Sequence, residues 1–228
     1  MLTKKKKLSR KEIKEDKLIS TYYKVYGYFE ENRSRLLMYT AILAVVVVAV
    51  IYYIENRKEA NNTAGLELSR VMSIYDSGSY LEAIEGRQGT NIIGLKKIVE
   101  DYGSTENGEI AKIYLANSYN FLGKPDEAVK YYEDYGGNNK IFKATALAGE
   151  AGYYTSKNEY EKAADLYRQA SLVSEENVLN PEYMLHAGIN YLKVGDTEKA
   201  KELFDTIKED YNTSSAFREV ERYSAQIE

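Results

Sequence analysis

The apolar positions of this chain fall into three patterns, and the first is an unbroken run. Residues 36–54, LLMYTAILAVVVVAVIYYI, hold no charge, no Gly and no Pro. As a helix rising about 1.5 Å per residue the run is about 28 Å long, close to the ~30 Å hydrocarbon thickness of a bilayer. Arg33 and Arg35 precede it, and Glu55, Asn56, Arg57 and Lys58 follow it. Tyr39, Tyr52 and Tyr53 stand near its ends, where amphipathic rings settle at the headgroup level. The run predicts a single transmembrane helix. A buried core helix is the plain rival, but such helices usually carry ~10 to 14 apolar residues and a polar stripe. A cleaved signal peptide would have an apolar core of only ~7 to 15 residues with a small-residue cleavage site directly after it.

The second pattern is periodic. Ile19, Tyr22, Tyr23, Tyr26 and Phe29 recur at helical spacing, which predicts an amphipathic helix ahead of the span. It would lie on the bilayer surface or dock on a membrane partner. Lys4 to Lys7, Arg10, Lys11, Lys14 and Lys17 come before it. These would attract anionic lipid at about 1 kcal/mol per charge near the surface, or form a solvated tail that only sets topology.

The third pattern begins after the run. Residues 57–76 carry Leu66, Leu68, Val71, Ile74 and Tyr75 without Pro, so the helix is expected to continue until Asp76-Ser-Gly-Ser79 ends it. Gly86, Gly89 and Gly94 interrupt what would be its partner helix, leaving a loop and a short helix from about Asn91 to Asp101. From Glu106 a repeat emerges. Leu115-Ala116, Tyr119, Gly123, Ala128 and Tyr132 are followed by Leu147, Ala151, Tyr154, Asn158, Ala163, Tyr167 and Ala170. Met184, Ala187-Gly188, Tyr191, Gly195, Ala200, Phe204 and Ile207 form a third copy. Ala128, Ala163 and Ala200 are 35 and 37 residues apart, near the ~34 of a helical-hairpin repeat. Small residues at 116, 151 and 188 let paired helices approach, the aromatic positions fill the space between them, and residues 123, 158 and 195 reverse the chain. Pro125 suits a first helical position, Asn158 with Glu161 has capping-box spacing, and Asn180-Pro181 and Asp196 open the last two helices. Ala83 with Gly78 marks a degenerate earlier copy. Residues 214–227, with Phe217, Val220, Tyr223 and Ile227 on one side, supply the capping helix that an open array requires. The predicted fold class is all-α, a single transmembrane helix followed by a helical-hairpin array and its cap.

Charge sorts the two sides of the span. Of the chain's 31 Lys/Arg and 35 Asp/Glu, residues 1–35 hold 11 and 5, so the part after the run holds 20 and 30. The basic tail is expected to stay in the cytoplasm and residues 55–228 to lie across the membrane with a net charge of −10. This divides the chain into a tail, 1–35, a span, 36–54, and one extracytoplasmic domain, 55–228. An acidic domain argues against nucleic acid as a partner. The absence of Cys excludes disulfides and thiolate metal sites.

The repeat positions resemble tetratricopeptide repeats over residues 106–212. The wider layout resembles a narrower family, the YfgM-like proteins of bacterial inner membranes. It is carried by the basic tail, the single anchor, Leu81-Glu-Ala-Ile-Glu-Gly86, Gly94-Leu95 and Asp101-Tyr-Gly-Ser-Thr105. That resemblance implies a periplasm-facing, non-catalytic accessory of the Sec translocon, partnered with a membrane-anchored periplasmic chaperone of the prolyl-isomerase type. The tetratricopeptide resemblance implies a protein-binding groove lined by the first helix of each hairpin, here presenting Ile113, Asn117, Asn120, Phe121, Gly152, Ile189, Leu192 and Lys193. Ile113 replaces the first Lys of the carboxylate clamp that some such proteins use, and only Asn117 matches it. An adaptor for cell-wall or outer-membrane assembly would use the same groove on other clients.

No cofactor, metal or catalytic residue is expected. The single His186 has no second His and no Cys beside it, so neither a zinc ligand set nor a G-x-S-x-G hydrolase is present. The glycines at 86–94 lack phosphate-loop spacing. Thirteen of the 23 tyrosines fall at repeat positions, on the helical apolar stripes or at the ends of the run, which leaves a carbohydrate or aromatic-peptide surface as the lesser reading.

Overall fold

A computed structural model describes residues 10–224. Lys4 to Lys7 and Ile227 lie outside the described residues. The chain divides into two compact units, Met1–Asn56 and Arg57–Glu228.

The first unit is helical throughout its described part. It belongs to α1, Arg10–Asp76, which runs for 67 residues. The expected amphipathic helix and the apolar run are therefore one helix, because no Pro falls between residues 10 and 76 and Gly27 and Gly65 are its only glycines. Tyr22, Tyr23, Tyr26 and Phe29 are exposed, with Tyr22 and Tyr26 stacked one turn apart at 6.2 Å. Every residue from 37 to 54 is exposed as well. That removes the core-helix alternative, and the helix is long and apolar enough to cross a membrane by length and composition.

The second unit opens with residues 57–76 of α1. Gly78, at φ 77°, turns the chain, its N–H bonding the Tyr75 carbonyl. The returning helix is broken into α2, Tyr80–Glu85, and α3, Leu95–Tyr102. Between them Gly86 and Ile93 form an isolated antiparallel bridge, and the Arg87 N–H reaches the Ile92 carbonyl at 3.1 Å. The bridge holds residues 92–93 extended, so α3 starts at Leu95 and not near Asn91 as the sequence suggested. A Cβ on Gly94 would run into the Ile84 carbonyl and the Gly86 backbone. Leu68, Val71, Ile74, Ala83, Ile84, Leu95 and Ile98 close this end of the core with Ala111 and Leu115.

Three regular hairpins follow: α4, Glu106–Phe121, with α5, Pro125–Glu133; α6, Lys140–Ser156, with α7, Tyr160–Leu172; and α8, Asn180–Lys193, with α9, Thr197–Asp210. Their reversals are chemically alike. Gly123, Asn158 and Gly195 have φ of 71°, 62° and 81°, the left-handed region that Gly enters freely and Asn tolerates. The next N–H in each case bonds back to a tyrosine carbonyl, Lys124 to Tyr119, Glu159 to Tyr154 and Asp196 to Tyr191, at 2.9 to 3.0 Å. This satisfies carbonyls that the helix end leaves open. Asn158 is thus a helix stop, not the cap of α7. Glu159 takes the N-cap position without a side-chain bond, and the Asn158 amide oxygen accepts from the Tyr160 hydroxyl. Pro125 does occupy the first turn of α5, and Asp196 caps α9 by accepting from the Lys199 N–H at 3.2 Å.

Packing follows the small and large positions. Ala116, Ala151, Ala128, Ala163 and Ala200 are all buried, and Gly188 lies against the Phe204 ring so closely that a Cβ there would overlap it. Between hairpins, Gly149 of α6 receives the Tyr132 ring of α5 in the same way. Helix α10, Ser215–Ser224, covers the last hairpin with buried Ala216 and Val220, and Phe217 and Tyr223 pack beside them. Among the described residues there is no strand.

Candidate binding surface

Aromatic side chains at the edge of the core collect around the end of α1 and the faces of α2, α4 and α6. Tyr75 sits at the last turn of α1 and Tyr80 begins α2, set in place by the Gly78 turn between them. Phe121, the last residue of α4, stacks on Tyr80 at 4.5 Å. Tyr80 meets Tyr75 edge-on at 5.5 Å, Tyr75 meets Tyr114 at 5.1 Å, and Tyr114 meets Phe142 of α6 at 6.1 Å. Each pair adds about 0.5 to 1.5 kcal/mol beyond area burial, so the rings form one ladder. Phe121 at its end is 62% exposed.

An amide network adjoins the ladder. The Tyr132 hydroxyl donates to Asn117 Oδ1 at 2.5 Å and accepts from Asn120 Nδ2 at 3.1 Å. Burial pushes the Tyr132 phenol up to about 12, against a smaller lowering by Asn120, so it stays a neutral donor. Tyr75 is also raised by burial, with the Asn117 amide working the other way. Asn117 thus stands beside both Tyr132 of the packed interior and Tyr75 of the aromatic face. Ring faces, ring edges and amide groups lie together, an arrangement suited to an uncharged or apolar segment of a partner and not to acid–base chemistry.

Of the residues the tetratricopeptide resemblance singled out, Asn117, Asn120 and Phe121 come together here. Ile113 does not reach the surface. It is 1% exposed and packed with Ala116, Ala128, Tyr132 and Ala146, because α4 is covered by α5 and α6 on that side. Ile189 and Leu192 are half-buried against the core of α8, α9 and α10. They help close their own hairpin. Gly152 is exposed on α6, and Lys193 holds its ammonium 4.4 Å from the centre of the Tyr160 ring. His186 is exposed and stacks on Tyr167 at 5.2 Å. Among the described residues no group of three or more His, Cys, Asp or Glu side chains is placed to hold a metal. The sequence does not place Tyr75, Tyr80 and Phe142 on this face. Their one signal is negative, since each is an aromatic residue outside the repeat positions.

Residues 182–214, the α8–α9 hairpin, match the tetratricopeptide repeat family. The fold is similar to the TPR-like repeats of a Podosopora anserina protein described as a putative kinesin light chain, with a TM-score of 0.55 and 15% identity. The likeness covers 73% of this chain and 85% of that one, and at this identity it concerns the fold alone. No curated protein sequence matches the chain.

Proposed function

We propose that the chain is a non-catalytic protein-binding module held at a membrane by residues 36–54, with its hairpin array, 55–228, on the side opposite the basic tail. Tetratricopeptide arrays offer extended surfaces for protein partners, and the observation that carries the reading is the aromatic and amide face at Phe121, Tyr80, Tyr75 and Asn117. A continuous run of exposed apolar residues over 37–54 supports an anchor. The resemblance to YfgM-like proteins suggests the setting: the bacterial inner membrane, a periplasmic array, and partners in the Sec translocon and its membrane-anchored chaperones.

Photo-crosslinking in intact cells tests this. A crosslinking residue in place of Phe121 is expected to trap an extracytoplasmic protein, and one in place of Leu43 to trap translocon subunits. Adducts at neither position, from a chain that is expressed and folded, would overturn the proposal. Adducts at Phe121 to cell-wall or outer-membrane assembly proteins would keep the module and replace its setting.

A further inference from the structure

Away from the aromatic face, a polar cleft of about 610 Å³ lies between residues 57–61 of α1, the start of α4 and the loop after α5. Its walls are held by a reciprocal amide pair: the Asn107 N–H donates to Asn61 Oδ1 at 2.8 Å, and Asn107 Nδ2 donates to the Asn61 carbonyl at 3.0 Å. Arg57 donates to the Ser104 carbonyl. The floor is self-contained. Glu109 is taken up by Lys112 at 3.0 Å and by the Gly136 N–H at 2.8 Å, and Lys112 also pairs with Asp134 at 2.9 Å.

What remains is a split of charge. Arg57 keeps unused guanidinium donors. Lys58 on the same wall and Glu106 on the opposite wall form no ion pair among the described residues, and none joins Glu106 to either cation. A cleft with cations on one wall and a carboxylate on the other complements a zwitterion. Arg57 and Lys58 follow the apolar run by three and four residues, the place along a chain where basic side chains reach headgroup phosphate.

We infer that this cleft binds the headgroup of a phosphatidylethanolamine-type lipid, its phosphate on Arg57 and Lys58 and its ammonium on Glu106. The inference rests on the membrane reading of residues 36–54. Phosphate recognition by a guanidinium is charge-assisted and directional, and Glu106 sets the choice of a cationic headgroup over a neutral one.

The test uses the full chain in detergent and native mass spectrometry with added dioctanoyl-phosphatidylethanolamine, dioctanoyl-phosphatidylglycerol or inorganic phosphate. The phosphatidylethanolamine adduct is expected to exceed the phosphatidylglycerol adduct by about tenfold or more, a step of roughly one charge-assisted bond. Arg57→Gln with Lys58→Gln removes most of it, and Glu106→Gln makes the two lipids equal. Because Arg57 also ties down Ser104, Lys58→Gln alone is the second variant. It breaks no internal bond among the described residues and is expected to lower the adduct at least about twofold. Equal lipids in the wild type, adducts indifferent to these variants, or full competition by inorganic phosphate would each overturn the inference. Carbonate extraction of cell membranes reads the anchor separately: a chain released by carbonate sinks the membrane reading, whatever the lipid adducts show.

Discussion

The first and third hairpins follow one plan and differ in what their aromatic rings do. In the third, α9 is an unbroken partner for α8, and Phe204 fills the space over Gly188 with Tyr191 buried beside it. The first packs instead against a helix pair that is cut between Glu85 and Leu95. Buried aliphatic side chains form the centre there, Tyr75 and Tyr114 pack half-buried against it, and Tyr80 and the exposed Phe121 carry the ring contacts outward. At the regular end Phe204 and Tyr191 are fully buried, and at the broken end the rings grade from half-buried Tyr75 and Tyr114 to exposed Phe121. The end of the array that resembles the repeat family least is therefore the end that carries the candidate partner face.

This contrast breaks first at the regular end. Gly188→Leu drives a side chain into the Phe204 ring, and overpacking at such a contact costs about 3 kcal/mol or more, a fall in Tm of roughly 6 to 12 °C. An unchanged melt would mean that α8 and α9 are not paired at this position. Gly94→Val is the matching lesion at the irregular end, expected to cost about 1 to 3 kcal/mol by pushing apart the Gly86–Ile93 bridge. Hydrogen exchange should show lost protection in α2 and α3 while α8 to α10 keep theirs, since repeat arrays couple mainly neighbour to neighbour. Equal loss along the whole array would contradict the contrast.

Tyr132→Phe probes the link between interior and surface. Losing the hydroxyl leaves Asn117 and Asn120 without their shared partner, at about 1 to 2 kcal/mol. It also has a pH signature. Burial raises the Tyr132 phenol from 10.0 to about 12, so between these values the folded state keeps a proton that the unfolded chain gives up. Stability from this group is whole below pH 10 and lost as pH rises through 12. The variant should lose less stability over that interval than the wild type, read from urea melts at pH 9 and pH 11.5.

The smallest effect is expected at Glu150. It stands half-buried on α6, its carboxyl raised first by burial and then by the Glu133 charge, with Lys162 opposing. The folded state favours the protonated form, so stability falls as pH rises from about 4.5 through the raised folded value. Glu150→Gln should raise the Tm slightly at pH 7, and the gain should vanish on acidification below 4.5.

The fold was legible because its signals are local and repeated. Gly123, Asn158 and Gly195 mark left-handed stops, and Ala128, Ala163 and Ala200 recur at a near-constant spacing. Asn158 was ambiguous in sequence because Asn serves both as a left-handed stop and as an N-cap, and the chain reversal required the first. The surface was only half legible. Asn117, Asn120 and Phe121 lie on one helix, but Tyr75, Tyr80 and Phe142 join them from α1, α2 and α6, and no periodicity within one helix announces that meeting. Ile113 was misplaced on the groove because a position borrowed from regular repeats assumes regular neighbours, and α4 stands where the array changes from broken to regular.

The central claim is that the broken end carries the partner face without carrying the fold. Tyr80→Ser with Phe121→Ser, in the full chain, tests it most directly, because Tyr80 is only partly buried and Phe121 is exposed. Partner capture from crosslinked detergent extracts, measured beside circular dichroism and thermal melting, should drop about tenfold, the loss of one or two aromatic contacts, with the helical fold kept and the melt lowered only by the roughly 1 to 3 kcal/mol of the two ring pairs removed. Full capture by a folded double variant would contradict the account and move the binding site off this face.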